Sequence, residues 1–401
     1  MSDHRTLGRA PVDGVVCFAA QDFWYHNRAH SDIQLMRRVA RELPVLFVNS
    51  IGMRVPLPGR STQPVRRIAR KLASVARGIR RPLREVPGLA VFTPLNLPAY
   101  GSPLARSVAA RTVRTQVALA ARLAGIRRPG YFVTVPTAWD AIARGPRRPL
   151  IYNRSDRHSA FGEVATEVIA GMEHRLLANA DRVLYVSSAL MAADGDVTAG
   201  RARFLDHGVD LEHFDPARSE AEPADIASIP RPRIGFFGGI DDYVVDLSLI
   251  ESTARALPDA SIVLVGDATC PMDTLTALPN VHWLGYRPYE SIPAYGRSFD
   301  VAIMPWLDND WIQACNPIKA KEYLALGLPV VSTDYPEGRR YAEVMRLARG
   351  SEDFVAAVKQ TLTDGGAGTP ESRRAHVAGD SWDGKAAQVI RSFEESICAA
   401  S

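Results

Sequence analysis

No stretch of the 401 residues approaches the roughly 18 to 20 consecutive apolar residues that a membrane span requires. The opening segment, Met1 to Val12, is polar and has no apolar signal core, so export is not expected. Cysteine is scarce: Cys17, Cys270, Cys315 and Cys398 lie far apart and match no zinc or redox spacing. Lone thiols of this kind fit a reducing cytosol rather than a disulfide framework. Acid is scarce in the first part of the chain. Residues 1–150 hold 25 Lys/Arg against 7 Asp/Glu, a balance of +18, and the remainder carries −14. A basic half joined to an acidic half has two readings: the first half meets something anionic, or arginines decorate solvated helices.

What is present is ordinary globular composition, 46% hydrophobic and 23% charged, in a chain long enough for two domains. Short apolar runs at 14–20, 45–48, 89–92, 131–135, 150–152 and 183–186 read as strands buried on both faces. Helical spacing fills the gaps, at 32–42 with Ser31 as its cap, at 103–124 and at 161–178. Residues 211–230, with Pro216, Pro223 and Pro230 and no periodicity, read as a linker. A second series follows: strands at 234–237, 262–265, 281–284, 301–304 and 329–332, helices at 247–256, 318–326 and 352–361. A last helix at 385–397 is expected to pack back on the first domain. Alternation of this kind predicts two doubly wound α/β parallel sheets in tandem. The domains read as 1–210, 211–230 (linker), 231–380 and 381–401. Ligands of such sheets bind beyond the carboxyl ends of the strands, so the expected site is the cleft between the two.

The most informative segment is Asn316-Pro-Ile-Lys-Ala-Lys-Glu-Tyr-Leu-Ala-Leu-Gly-Leu-Pro-Val-Val-Ser-Thr333. Pro317 suits the first turn of a helix, whose N–H groups and positive dipole would face a phosphate. Lys319 adds charge at that end, and Glu322 can accept hydrogen bonds from ribose hydroxyls. The plainer alternative is an amphipathic helix with Lys319, Lys321 and Glu322 in solvent.

This segment resembles the donor-site segment of the GT-B glycosyltransferases, a Pro-x-Lys followed by Glu-(Tyr/Phe/Met)-x-Ala-x-Gly-x-Pro-Val-Val. His207-Gly-Val-Asp-Leu-Glu-His-Phe214 is similar to the segment that ends that family's first domain. Ile234-Gly-Phe-Phe-Gly-Gly-Ile240 is similar to its glycine loop, and Phe299-Asp-Val-Ala-Ile-Met-Pro305 to the strand before its donor loop. These four stand in the family's order across residues 200–335. The resemblance implies a GT-B fold of two Rossmann-like domains, of the group 1 or family 4 kind found in bacterial cell-surface polysaccharide and glycolipid synthesis. It implies transfer from a nucleotide sugar, UDP- ahead of GDP-, to a hydroxyl of a glycan, lipid-linked or small-molecule acceptor.

It also implies donor contacts by Gly238, Gly239, Asn316, Lys319 and Glu322. Glycines there let the backbone approach a diphosphate closely. No Gly-x-Gly-x-x-Gly fingerprint accompanies them, which argues against a dinucleotide. Many retaining members carry a second Glu eight residues before the one matching Glu322. Here that position is Ala314, beside Gln313, so the resemblance does not carry that sugar contact or a retaining outcome to this chain.

For the acceptor side, Asp156 and His158 follow a strand, where a base could take a hydroxyl proton. Asp156 is the expected base and His158 the reserve; turn capping is the alternative. The loop 21–30 offers His26, Arg28 and His30 as acceptor contacts, or simply a folded loop with buried rings. The triplets Asp194-Gly-Asp196 and Asp308-Asn-Asp310 could hold a cation, but the family works without one. No metal and no cofactor is expected, and the triplets read as loop caps.

Residues 59–84 hold nine Lys/Arg and no acid, with Val65, Ile68, Leu72, Val75, Ile79 and Leu83 at helical steps. That is a cationic amphipathic helix suited to an anionic membrane surface, or an ordinary packed helix. No nucleic-acid motif accompanies the charge. The chain is therefore expected in the cytoplasm, peripheral on the inner face of the plasma membrane. Two rivals remain open: a nucleotide-sugar epimerase of the same fold, and a non-catalytic membrane- or partner-binding protein that has kept it.

Overall fold

The computed structural model describes residues 12–25, 30–52, 64–96, 102–156 and 166–398. They form two compact units, Met1–Asp206 with Lys385–Ser401, and His207–Gly384.

The first unit is built on a seven-stranded parallel sheet. Its strands are β1 Gly14–Phe18, β2 Val45–Val48, β3 Leu89–Phe92, β4 Pro129–Val133, β5 Leu150–Arg154, β6 Arg182–Tyr185 and β7 Ala202–Phe204. The order is β3-β2-β1-β4-β5-β6-β7. β1 lies at the centre, Val15 beside Val45 on one side and Gly130 on the other. All five of its residues are buried, as the unbroken apolar run requires of a strand covered on both faces.

The second unit repeats the plan with six strands: β8 Arg233–Phe237, β9 Ser261–Val265, β10 Val281–Gly285, β11 Val301–Met304, β12 Val330–Thr333 and β13 Arg346–Ala348. Their order is β10-β9-β8-β11-β12-β13. In each sheet the winding reverses once, beside β1 and beside β8. There neighbouring connections leave in opposite directions and open a crevice at the strands' carboxyl ends. The two doubly wound sheets are those expected from the alternation of apolar runs.

Caps set several of the helix starts. Ser102 accepts a hydrogen bond from the Ala105 N–H, with Pro103 in the first turn of Pro103–Leu123. Asp246 receives the Leu249 N–H ahead of Leu247–Ala256. The Thr369 hydroxyl and Ser372 satisfy each other's backbone in a capping box ahead of Pro370–Val377. Gly365 closes Gly350–Asp364 in the left-handed conformation, φ 79°.

Some local expectations need correction. Ser31 is the first helical residue rather than the cap; His30 holds the cap position of Ser31–Val39, without a side-chain bond to the helix. Pro317 stands two residues ahead of the helix Lys319–Ala325 rather than in its first turn. β7 and β13, edge strands of three residues each, are too short to register as periodicity. Among the described residues the basic stretch is helical over Pro64–Ala76; Gly78 then takes φ 59° and residues 79–84 are not helical. Within it Ile68 and Leu72 are 46% and 58% exposed, so the apolar stripe is not a packed face. Residues 211–230 are tied into the second unit. Arg374 donates to the carbonyls of Leu211 and Phe214, and Asp225 accepts from Arg287 and Tyr295. Among the described residues no helix is long and apolar enough to cross a membrane.

Candidate functional site

In the second unit the fold brings together the end of β8, the end of β11 and the start of the helix Lys319–Ala325. β8 delivers Phe236 and Phe237 into the core and stops at Gly238. The Phe237 N–H donates to the Tyr323 hydroxyl at 2.9 Å, and the two rings lie 4.4 Å apart. That pair fixes the helix against the strand end, one turn from Lys319.

Gly238 adopts φ 134°, a conformation that side chains disfavour. A Cβ on it would fall 2.0 Å from Lys319 Cε, so lysine and glycine backbone occupy one spot. On the other side, a Cβ on Gly266, itself at φ 149°, would strike the Gly238 carbonyl at 1.9 Å. Around Gly239 there is open space: a Cβ there would meet nothing within 4 Å.

Lys319 has an aromatic cradle that no sequence motif announced. Its Nζ lies 5.5 Å from the Trp306 ring centre and 5.7 Å from that of Phe236, cation–π distances. Burial pulls its pKa down, opposed by the nearby Glu322 carboxylate and the Cys315 thiol. Glu322 follows one helical turn later and is 5% exposed. Burial pushes its pKa up to about 7, against the pull of Lys319. Its Oε1 is buried without a hydrogen-bonding partner, and so is the indole Nε1 of Trp306. Buried polar atoms left unpaired in this way cost about 1–3 kcal/mol each and call for a partner from outside the protein, a water or a ligand. Asn316 is buried three residues before the lysine.

Lys321, which the plainer reading put in solvent, is 1% exposed; its ammonium meets the His207 carbonyl at 2.6 Å and Asp380 at 2.8 Å. The helix is thus anchored on one side by Lys321 and presents Lys319 and Glu322 on another.

The first unit places Asp156 two residues past the end of β5, half-buried, with its carbonyl accepting from Arg154 at 2.6 Å. Arg154 is itself buried between Glu173 and Asp194. His158, His26 and Arg28 lie outside the described residues. His30 accepts the N–H groups of Ile33 and Gln34 on its carbonyl. The rings of the loop beside it fold inward: Phe23 packs on Phe47 at 5.7 Å, and Arg77 lies over Trp24 at 4.7 Å.

Both acidic triplets are engaged. Asp194 takes the Arg154 guanidinium and the Tyr185 hydroxyl, at 3.1 and 3.2 Å. Asn309 caps Asp310–Ala314, and Asp308 accepts from Gln313.

Against this geometry, residues 231–364 match the family model described as Glycosyl transferases group 1. The chain is 31% identical over 235 residues to TuaH of Bacillus subtilis, a protein named for a teichuronic acid biosynthesis glycosyltransferase. That match covers 56% of this chain and 59% of TuaH. It is 26% identical over 202 residues to a GDP-mannose-dependent alpha-mannosyltransferase of Mycolicibacterium smegmatis, covering 50% of this chain and 48% of that one. The chain thus spans 59% and 48% of the length of these relatives. Among solved structures it is similar to Anabaena HepE in complex with UDP, with a TM-score of 0.61 at 14% identity, covering 96% of this chain and 99% of that one. Residues 231–364 therefore match the glycosyl transferases group 1 family, in a chain with the fold of the GT-B glycosyltransferases.

Proposed function

We propose that this protein transfers a sugar from a nucleoside diphosphate sugar to a hydroxyl of a glycan, lipid-linked or small-molecule acceptor. The observation that carries the reading is the junction of Gly238, Lys319 and Glu322 at the switch point of the second sheet. A diphosphate beside Gly239 meets backbone and an ammonium at once, and Glu322 Oε1, unpaired and buried, accepts from ribose hydroxyls. When the acceptor oxygen bonds to the anomeric carbon, the bond to the diphosphate breaks and negative charge builds on the leaving group. Lys319 and the glycine backbone neutralise it, the term that dominates such catalysis. The acceptor proton passes to Asp156, with His158 in reserve. This assignment needs no metal ion.

A uridine donor is favoured over a guanosine one; HepE is named in complex with UDP, while one relative is named for GDP-mannose. Polysaccharide synthesis is the favoured setting, in line with the teichuronic acid name of TuaH. The exposed Ile68 and Leu72 on the basic helix Pro64–Ala76 support a reading in which the protein docks on an anionic membrane surface, the inner face of the plasma membrane.

Lys319→Ala tests the reading directly. Transfer from UDP- or GDP-sugars, followed by nucleotide release, should fall at least ~10²-fold with the melting temperature held. Undiminished turnover removes Lys319 from the reaction. Accumulation of an epimerised donor with no acceptor present would favour the epimerase instead.

A further inference from the structure

At the other end of the first unit's sheet, where β4, β5 and β6 begin, lies a cavity of about 680 Å³. Tyr131 and Trp139 line it with Arg147, Arg148 and Arg182, and Asp181 is the acidic residue in its wall. It lies at the amino ends of these strands, whereas Asp156 follows the carboxyl end of β5.

The charges there are unevenly satisfied. Asp181 is spent on structure: it receives the Leu150 N–H at 2.8 Å, and Arg147 approaches it at 3.6 Å. Arg182 reaches Glu395 at 3.3 Å. Arg148 differs, because its Nε is buried and has no hydrogen-bonding partner. Behind the wall residue Gly145, Arg114 of the helix Pro103–Leu123 has its Nη1 likewise buried and unpaired. Both guanidinium charges act on the Tyr131 hydroxyl. A fold that buries two guanidinium N–H groups without acceptors leaves a cost that an incoming anion removes. The half-buried rings of Tyr131 and Trp139 add flat apolar surface beside the charge.

We propose that this cavity is a second ligand site, separate from the donor site, that binds a phosphate-bearing small molecule with a flat ring or sugar attached. Arg148 and Arg147 hold the phosphate oxygens, with the Arg114 charge behind them, and Tyr131 and Trp139 contact the ring. The volume suits a sugar phosphate or a mononucleotide. The proposal is independent of the reading of the second unit.

Calorimetric titration of the full chain with inorganic pyrophosphate, and in separate arms with glucose 1-phosphate and UMP, tests it. Two classes of pyrophosphate site are expected, one lost in Lys319→Ala and the other retained. Arg148→Met should weaken the retained site at least ~10-fold, the scale of a lost charged hydrogen bond. Because Arg148 Nε has no partner to lose, the same variant should unfold at an unchanged or higher temperature. Tighter binding in the glucose 1-phosphate arm identifies a sugar phosphate, and in the UMP arm a nucleotide. Tyr131→Phe with Trp139→Leu should weaken either organic ligand while sparing pyrophosphate. A single class of site abolished by Lys319→Ala, or pyrophosphate affinity unchanged in Arg148→Met, overturns the proposal.

Discussion

Glu322 carries a stability cost whose size and pH range can be worked out. Its ordinary value of 4.5 is raised to about 7 by burial. At 1.36 kcal/mol per pH unit, holding it ionised at pH 8 costs the folded chain about 3 kcal/mol. The sign follows from proton uptake. Between pH 4.5 and 7 the folded state keeps the proton that the unfolded state has released, so stability from this group is full below 4.5 and falls as pH rises toward 7. Glu322→Gln removes the titration. Urea unfolding of the two proteins between pH 4.5 and 8 should therefore show the variant gaining on the wild type by about 3 kcal/mol across that range. A difference that stays flat with pH refutes the reasoning. The same variant should bind UDP more weakly, because the amide accepts from ribose hydroxyls less strongly than a carboxylate does. In the wild type, UDP affinity should rise with pH through 7, and in Glu322→Gln it should not. Greater stability with poorer binding is the trade expected where a site holds an unpaired charge ready for its ligand.

Gly238→Ala forces a Cβ into the space of Lys319 Cε at φ 134°, so the lysine must move. Sugar transfer should drop by up to ~10²-fold, with about 1–3 kcal/mol lost in unfolding; full activity would show that Lys319 need not sit there. Arg154→Met leaves Glu173 and Asp194 buried without their cation. A loss of about 3–5 kcal/mol in urea unfolding is expected, and a neutral result would mean that the acids are protonated. Arg373 is 2% exposed and donates to the carbonyls of Gly327, Gly365, Ala367 and Gly368. Arg373→Ala orphans this set and should cost about 3 kcal/mol or more, read as a lower melting temperature for the second unit.

Legibility in the sequence followed the reach of the interaction. Unbroken apolar runs such as 234–237 and 301–304 mark parallel strands because both faces of such strands are buried, a demand that each residue states locally. The run 316–333 marked the helix that bears Lys319 and Glu322, since a proline before, a glycine after and a lysine within are all short-range signals. Three-residue strands such as β13 escape because the sheet edge, rather than their own pattern, makes them strands. Helix 64–76 shows the opposite error: its periodicity ran on to Leu83, while Gly78 at φ 59° ended it.

The linear order of residues, then, determined the two sheets, the segment bearing Lys319 and the excess of positive charge in the first half. Tertiary structure alone decided that Trp306 and Phe236 flank Lys319, that a glycine 81 positions earlier shares its space, and that Glu322 Oε1 has no hydrogen-bonding partner. It also decided that Arg147 and Arg148 stand with Tyr131 and Trp139 at one cavity. Those residues meet only because strands distant in sequence are hydrogen-bonded side by side, and burial, which sets every charge's cost, exists only once they are.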